Sequence, residues 1–188
     1  TTDTFTHLPP TCELLGTLVT QNLGAGEDSS QADCAPFAEG GRYLTQDDDL
    51  ATKFECVAKV GTEGSLQESQ VAAAISAVSP HMNQEGACNE GFVRDDALLI
   101  IVIITDESEH SPGQPGDWFD AFTAVKHGIE TNVVMLPIVE LDSGDHLTLA
   151  QLFTNGAVGN IYDPTYDEFF VNALSNIEVA CDGFIPPG

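Results

Sequence analysis

Leu98-Leu99-Ile100-Ile101-Val102-Ile103-Ile104, seven apolar residues in a row closed by Thr105-Asp106, decides the fold class. A strand with one wet face alternates apolar and polar residues. A continuous apolar run rich in β-branched side chains predicts instead a strand buried on both faces of a parallel sheet. Asn132 to Val139 repeats the pattern with Pro137 near its end, and Gly159 to Tyr162 is a shorter third candidate.

Helical patterns fall around these strands. Ser65-x-x-Glu68 reads as a capping box leading into Val71, Ala74, Ile75 and Val78, with Pro80 as the stop. Asp117 is placed to cap a helix carrying Trp118, Phe122 and Val125 on one face, with Trp118 in the core and Gly128 beyond the end. Leu147 to Phe153 predicts a short helix closed by Asn155-Gly156, and Thr165-x-x-Glu168 a further capping box before Phe169, Phe170, Ala173, Leu174 and Ile177. Alternating helices and strands predict a doubly wound, mostly parallel α/β sheet in three layers. The chain reads as one domain, irregular and insertion-rich over 1–60 and regular over 61–188. Asp47-Asp48-Asp49 is expected to be a solvated turn.

Thirty Asp and Glu against five Lys and Arg give a formal charge of −25, which excludes electrostatic binding of nucleic acid or anionic lipid. No apolar run is long enough to span a membrane. Cys12, Cys34, Cys56, Cys88 and Cys181 are dispersed without a Cys-x-x-Cys pair. That pattern predicts two disulfides, one odd thiol and an exported protein. The opening at Thr1-Thr2-Asp3 is expected to follow an upstream part of the same protein.

Ligands of open α/β sheets bind beyond the carboxyl ends of the strands. Thr105-Asp106-Glu107-Ser108-Glu109-His110 lies there, and its oxygens suit Mg²⁺ or Ca²⁺. The alternative is that Asp106 caps a turn and the rest is solvated. A second polar site is Val60-Gly61-Thr62-Glu63-Gly64-Ser65, where glycines permit a tight turn and Thr62 offers a hydroxyl, or where the loop simply ends in an N-cap.

Together these two segments resemble the latter part of a von Willebrand factor A domain. Phe54-x-Cys56-x-x-x-Val60-Gly61-Thr62-x-Gly64-x-x-x-Glu68 and Gly91-Phe92-x-Arg94-Asp95-Asp96-Ala97-Leu98 are similar to such domains in bacterial exported proteins. The resemblance implies a metal-ion-dependent adhesion site, with Thr62 as its loop threonine and Asp106 as its strand-end aspartate. Asp3, Glu107 and Ser108 become candidates for groups behind the ligands. Glu107 stands where the family usually has glycine, and no Asp-x-Ser-x-Ser motif precedes these segments.

The resemblance therefore implies a fold completed by an N-terminal segment or a partner chain lying beside Leu98 to Ile104. That piece would supply the missing ligands and perhaps a sixth cysteine. The expected function is metal-dependent protein binding or adhesion, at a cell surface or after secretion, without catalysis. Two alternatives are a structural domain of the same fold without its ion, and a metal-dependent hydrolase using Glu107-Ser108-Glu109-His110. The scattered histidines and the absence of hydrolase motifs speak against the last.

Overall fold

The computed structural model describes residues 12–62, 68–140 and 144–187, and its contacts divide the chain into two compact units. One comprises 1–66 with 72–93, the other 67–71 with 94–188. Helix α2 (Gln70–Val78) bridges the division, its first two residues counting with the second unit.

The first unit holds α1 (Leu50–Ala58), most of α2 and the short α3 (Pro80–Asn83). Long irregular segments between them are tied by side chains, because loops this polar bury too little apolar surface to hold themselves. Disulfides join Cys12 to Cys88 and Cys34 to Cys56, leaving Cys181 of the other unit as an exposed free thiol. Asn89 is fully buried: its amide nitrogen donates to the carbonyls of Gly16 and Ala77, and its oxygen accepts from the Leu18 amide. Asn22 likewise donates to the Cys56 carbonyl at 2.8 Å.

Asp47-Asp48-Asp49 forms a turn, as expected. Asp48 accepts the amides of Thr45 and Ala38, and the Thr45 bond chiefly holds its carboxyl below the ordinary range. Asp49 caps α1 through the Thr52 amide. Ser65 of the expected capping box lies outside the described residues. Pro80 does not simply end a helix: it stands in the first turn of α3, where its missing N–H costs nothing, and Ser79 caps that turn.

The second unit is a mixed α/β arrangement around an open parallel sheet. Strands β1 (Leu99–Thr105) and β2 (Val133–Val139) pair in parallel along their whole length, from Leu99 opposite Val133 to Thr105 opposite Val139. On the far side of β2 lie two short strands, β3 (Asn155–Gly156) and β4 (Gly159–Asn160). The Ala157 amide donates to Met135 and the Ile161 amide to Val139, so the odd-numbered residues of β2 turn their main chain toward β3 and β4. Pro137 is one of them and has no N–H to give. The ladder breaks there into two short pieces.

Helix α4 (Pro115–Val125) connects β1 to β2, and α5 (Gly144–Leu152) connects β2 to β3. These two helices pack on each other, and α5 packs on β2. Helix α4 begins earlier than expected: Pro115 opens it, and Asp117 sits one turn inside, its carboxylate accepting the Gln114 amide at 2.9 Å. Trp118 is buried, as expected, and donates its indole N–H to the Pro112 carbonyl. Asn155-Gly156 is strand rather than a mere helix stop.

Helix α6 (Asp167–Asp182) starts after Tyr166, which offers no side-chain cap, so the expected Thr165 capping box is not formed. Phe169, Ala173 and Ala180 of α6 pack on Val134, Leu136 and Ile138 of β2.

One expectation needs correction. β2 is buried at all seven positions, whereas β1 is buried only at Ile101 and Ile103. Ile100, Val102 and Ile104 are 42, 48 and 63% exposed. By register they share the face of Val134, Leu136 and Ile138, so α6 covers that face over β2 but not over β1. Among the described residues β1 has a neighbouring strand on one side only.

Candidate functional site

The strands of a parallel sheet all deliver their carboxyl ends to one edge, and here that edge is acidic. β1 runs into Asp106 and Glu107, β2 into Glu140, and β4 into Ile161 and Tyr162. Asp106, Glu107, Glu140 and Tyr162 are all exposed. Their fields meet at the Tyr162 phenol, whose pKa is raised above its ordinary value first by Glu140 and also by Asp106 and Glu107.

Behind this rim the chain is tightly held. The Thr105 hydroxyl accepts the Gln70 side-chain amide at 2.8 Å and the Glu107 backbone amide at 3.1 Å. The His110 amide donates to the Glu68 carbonyl at 2.9 Å. Glu109 turns inward, accepting the Val71 amide on Oε2 at 3.0 Å and the Ser111 amide on Oε1 at 2.7 Å. The same Oε2 lies 3.2 Å from Nε2 of His146, with both side chains wholly out of solvent. Burial alone pushes the Glu109 carboxyl up. The contacts with His146, Ser111 and the Val71 amide outweigh it and bring the pKa down to about 2. His146 Nδ1 has no hydrogen-bond partner among the described residues.

The Glu–His pair of this region is thus Glu109 with His146 on α5, not Glu109 with its sequence neighbour. His110 is exposed. Sequence could have signalled His146: at helical spacing it shares a face with Leu149, Ala150 and Phe153, all buried. A polar ring on an apolar stripe needs a partner.

Of the expected ligands, Asp106 and Thr62 fall in different units. Asp106 extends from the end of β1. Thr62 follows Gly61, whose φ of +80° makes the tight turn that the glycines predict, and its hydroxyl donates to the Glu27 carbonyl at 3.4 Å. Glu107 and Ser108 are exposed in the loop after β1, and Asp3 lies outside the described residues. Among the described residues no group of three or more His, Cys, Asp or Glu side chains converges closely enough to hold a metal ion.

No protein-family model matches the chain, and neither a curated protein nor a solved structure does. Fold, disulfides and edge chemistry therefore bear the functional reading alone. The two disulfides are consistent with an exported protein, and among the described residues no helix is long and apolar enough to cross a membrane.

Proposed function

We propose that this chain is a non-catalytic protein-binding module, a doubly wound domain of the von Willebrand factor A kind, secreted or displayed at a cell surface. Asp106 gives one carboxylate oxygen to a divalent cation, Mg²⁺ or Ca²⁺, and an acidic side chain of a protein partner closes the coordination. The supporting observation is the position of Asp106, exposed directly beyond the carboxyl end of a parallel strand and in the shared negative field that raises the Tyr162 pKa. A hard cation takes about six or more oxygens. Without a three-residue acidic cluster in the described chain, most of these are water, main chain, hydroxyl and partner.

A second reading has its own observation. The Thr105 hydroxyl is already engaged by Gln70 and by the Glu107 amide, so hydrogen bonds hold the loop after β1 without an ion. In that case the edge is a structural or protein-contact surface that needs no metal.

Thermal unfolding in CaCl₂ or MgCl₂, compared with NaCl of equal ionic strength, separates the two. The first reading expects an extra divalent stabilisation that the Asp106→Asn variant loses. Identical curves for both salts in the native chain would rule it out and leave the second.

A further inference from the structure

We infer that Gln70 and Glu109 are positioning residues of the edge at which Asp106 stands, holding the two feet of a short arch that presents it. The arch is Asp106-Glu107-Ser108, three exposed residues between Thr105, the last of β1, and Glu109, whose side chain is wholly out of solvent. At the near foot the Thr105 hydroxyl accepts the Gln70 side-chain amide at 2.8 Å and the Glu107 backbone amide at 3.1 Å. One oxygen thus ties together the residues on either side of Asp106. At the far foot Glu109 Oε1 accepts the Ser111 amide at 2.7 Å, and the His110 amide donates to the Glu68 carbonyl at 2.9 Å.

The far foot has a physical reason to stay in place. The first N–H groups of a helix have no acceptor within it, and that end of the helix favours a negative charge. Glu109 Oε2 accepts one of these groups, the amide of Val71 in the first turn of α2, at 3.0 Å. The same oxygen lies 3.2 Å from Nε2 of His146 in the first turn of α5. A single carboxylate therefore anchors the arch to two helix starts. An arch of three residues with both feet fixed has few shapes open to it. Folding has then already removed the backbone freedom that a ligand of Asp106 would otherwise have to remove on binding.

The benefit to a bound cation rests on the reading of Asp106 as its ligand; the anchoring does not, and the experiment has an arm for each. Amide hydrogen exchange of the intact chain in EDTA tests the anchoring. Glu109→Gln should speed exchange about tenfold at the bonded amides of Val71, His110 and Ser111, with β2 unchanged. Gln70→Leu, which deletes only the near donor, should do the same at Glu107, and it carries the test should Glu109→Gln fail to fold. Gly86→Ala, a destabilised control in the other unit, should not single out these amides. Calorimetric titration with CaCl₂ tests the consequence. Glu109→Gln and Gln70→Leu should bind at least about fivefold more weakly than the native chain, and Gly86→Ala equally tightly. Exchange that is unaltered at these amides, or raised uniformly along the chain, overturns the inference. Calcium binding undiminished in both positioning variants also overturns it. A native chain that takes up no calcium removes the cation reading alone, and the exchange result then decides the positioning.

Discussion

Glu109 and His146 meet across 3.2 Å with both side chains wholly buried, tying the loop after β1 to helix α5. Because Glu109 also accepts the Val71 and Ser111 amides, one carboxylate fixes the start of α2, the post-strand loop and α5 together. Removing its charge strands His146 and leaves a side-chain amide facing backbone donors. Breaking a buried pair costs about 3–5 kcal/mol. Glu109→Gln, which keeps one acceptor, should cost about 2–3 kcal/mol in urea unfolding. A loss below roughly 0.5 kcal/mol would mean that the contact is ornamental.

The same carboxylate sets an acid limit. Its folded pKa of about 2 lies below the ordinary 4.5, so its contribution is complete above the ordinary value and disappears as pH falls toward 2. With allowance for solvent screening this amounts to about 1–2 kcal/mol. Unfolding free energy measured between these limits should fall more steeply for the native chain than for Glu109→Gln. Parallel curves would show that Glu109 is not the group titrating.

Salt should stabilise this protein. Arg42, Lys53 and Lys126, three of the five Lys and Arg, donate to main-chain carbonyls of Leu18, of Cys34 and Pro36, and of Arg94. Among the described residues, Lys59 with Glu55 is the ion pair between a lysine or arginine and a carboxylate, and it is an exposed one. The cations thus staple loops while the thirty Asp and Glu repel one another. Raising NaCl shortens the screening length from about 30 Å at 0.01 M to about 10 Å at 0.1 M. Stability should rise by about 1–2 kcal/mol over that range. If calorimetry finds it flat or falling, the carboxylates are already neutralised in some other way.

Lys126 is buried, and its Nζ donates to the Arg94 carbonyl at 2.7 Å, while neighbouring His127 lies 3.1 Å from Asp95. Together they pin the segment leading into β1 to the end of α4. Lys126→Met keeps the packing stem and deletes the donor, leaving a carbonyl to find water. The expected cost is about 1 kcal/mol, with faster amide exchange concentrated at 94–98. Exchange that rises uniformly would assign Lys126 to general packing instead.

The two long strands were legible because continuous apolar runs have few other uses, and β2 fulfils the pattern at every position. The run in β1 records a demand for cover on both faces, and it cannot say whether this chain meets that demand. Among the described residues it does so only at Ile101 and Ile103. β3 was hidden because Asn155-Gly156 reads as a stop, and two-residue strands carry no periodicity. Asp106 could be placed by its neighbours in sequence. The Glu109–His146 contact could not, since it joins residues from separate elements and has no local spacing.

Gly61 supports Thr62, and it offers the sharpest test of the loop that sequence singled out. Its φ is +80°, and a Cβ there would fall 2.0 Å from the Ala25 carbonyl oxygen, a backbone atom that cannot swing away. Gly86 has a similar φ of +77° with nothing within 4 Å of its would-be Cβ. Alanine at Gly86 therefore incurs the left-handed backbone penalty alone, about 1–2 kcal/mol. At Gly61 the collision adds to it, and the total should reach about 3–4 kcal/mol. Urea midpoints of the two variants isolate the collision term. If Gly61→Ala and Gly86→Ala lose equal stability, the close approach of residues 25 and 61 is not maintained in solution, and Thr62 is not held where the Glu27 carbonyl can reach it.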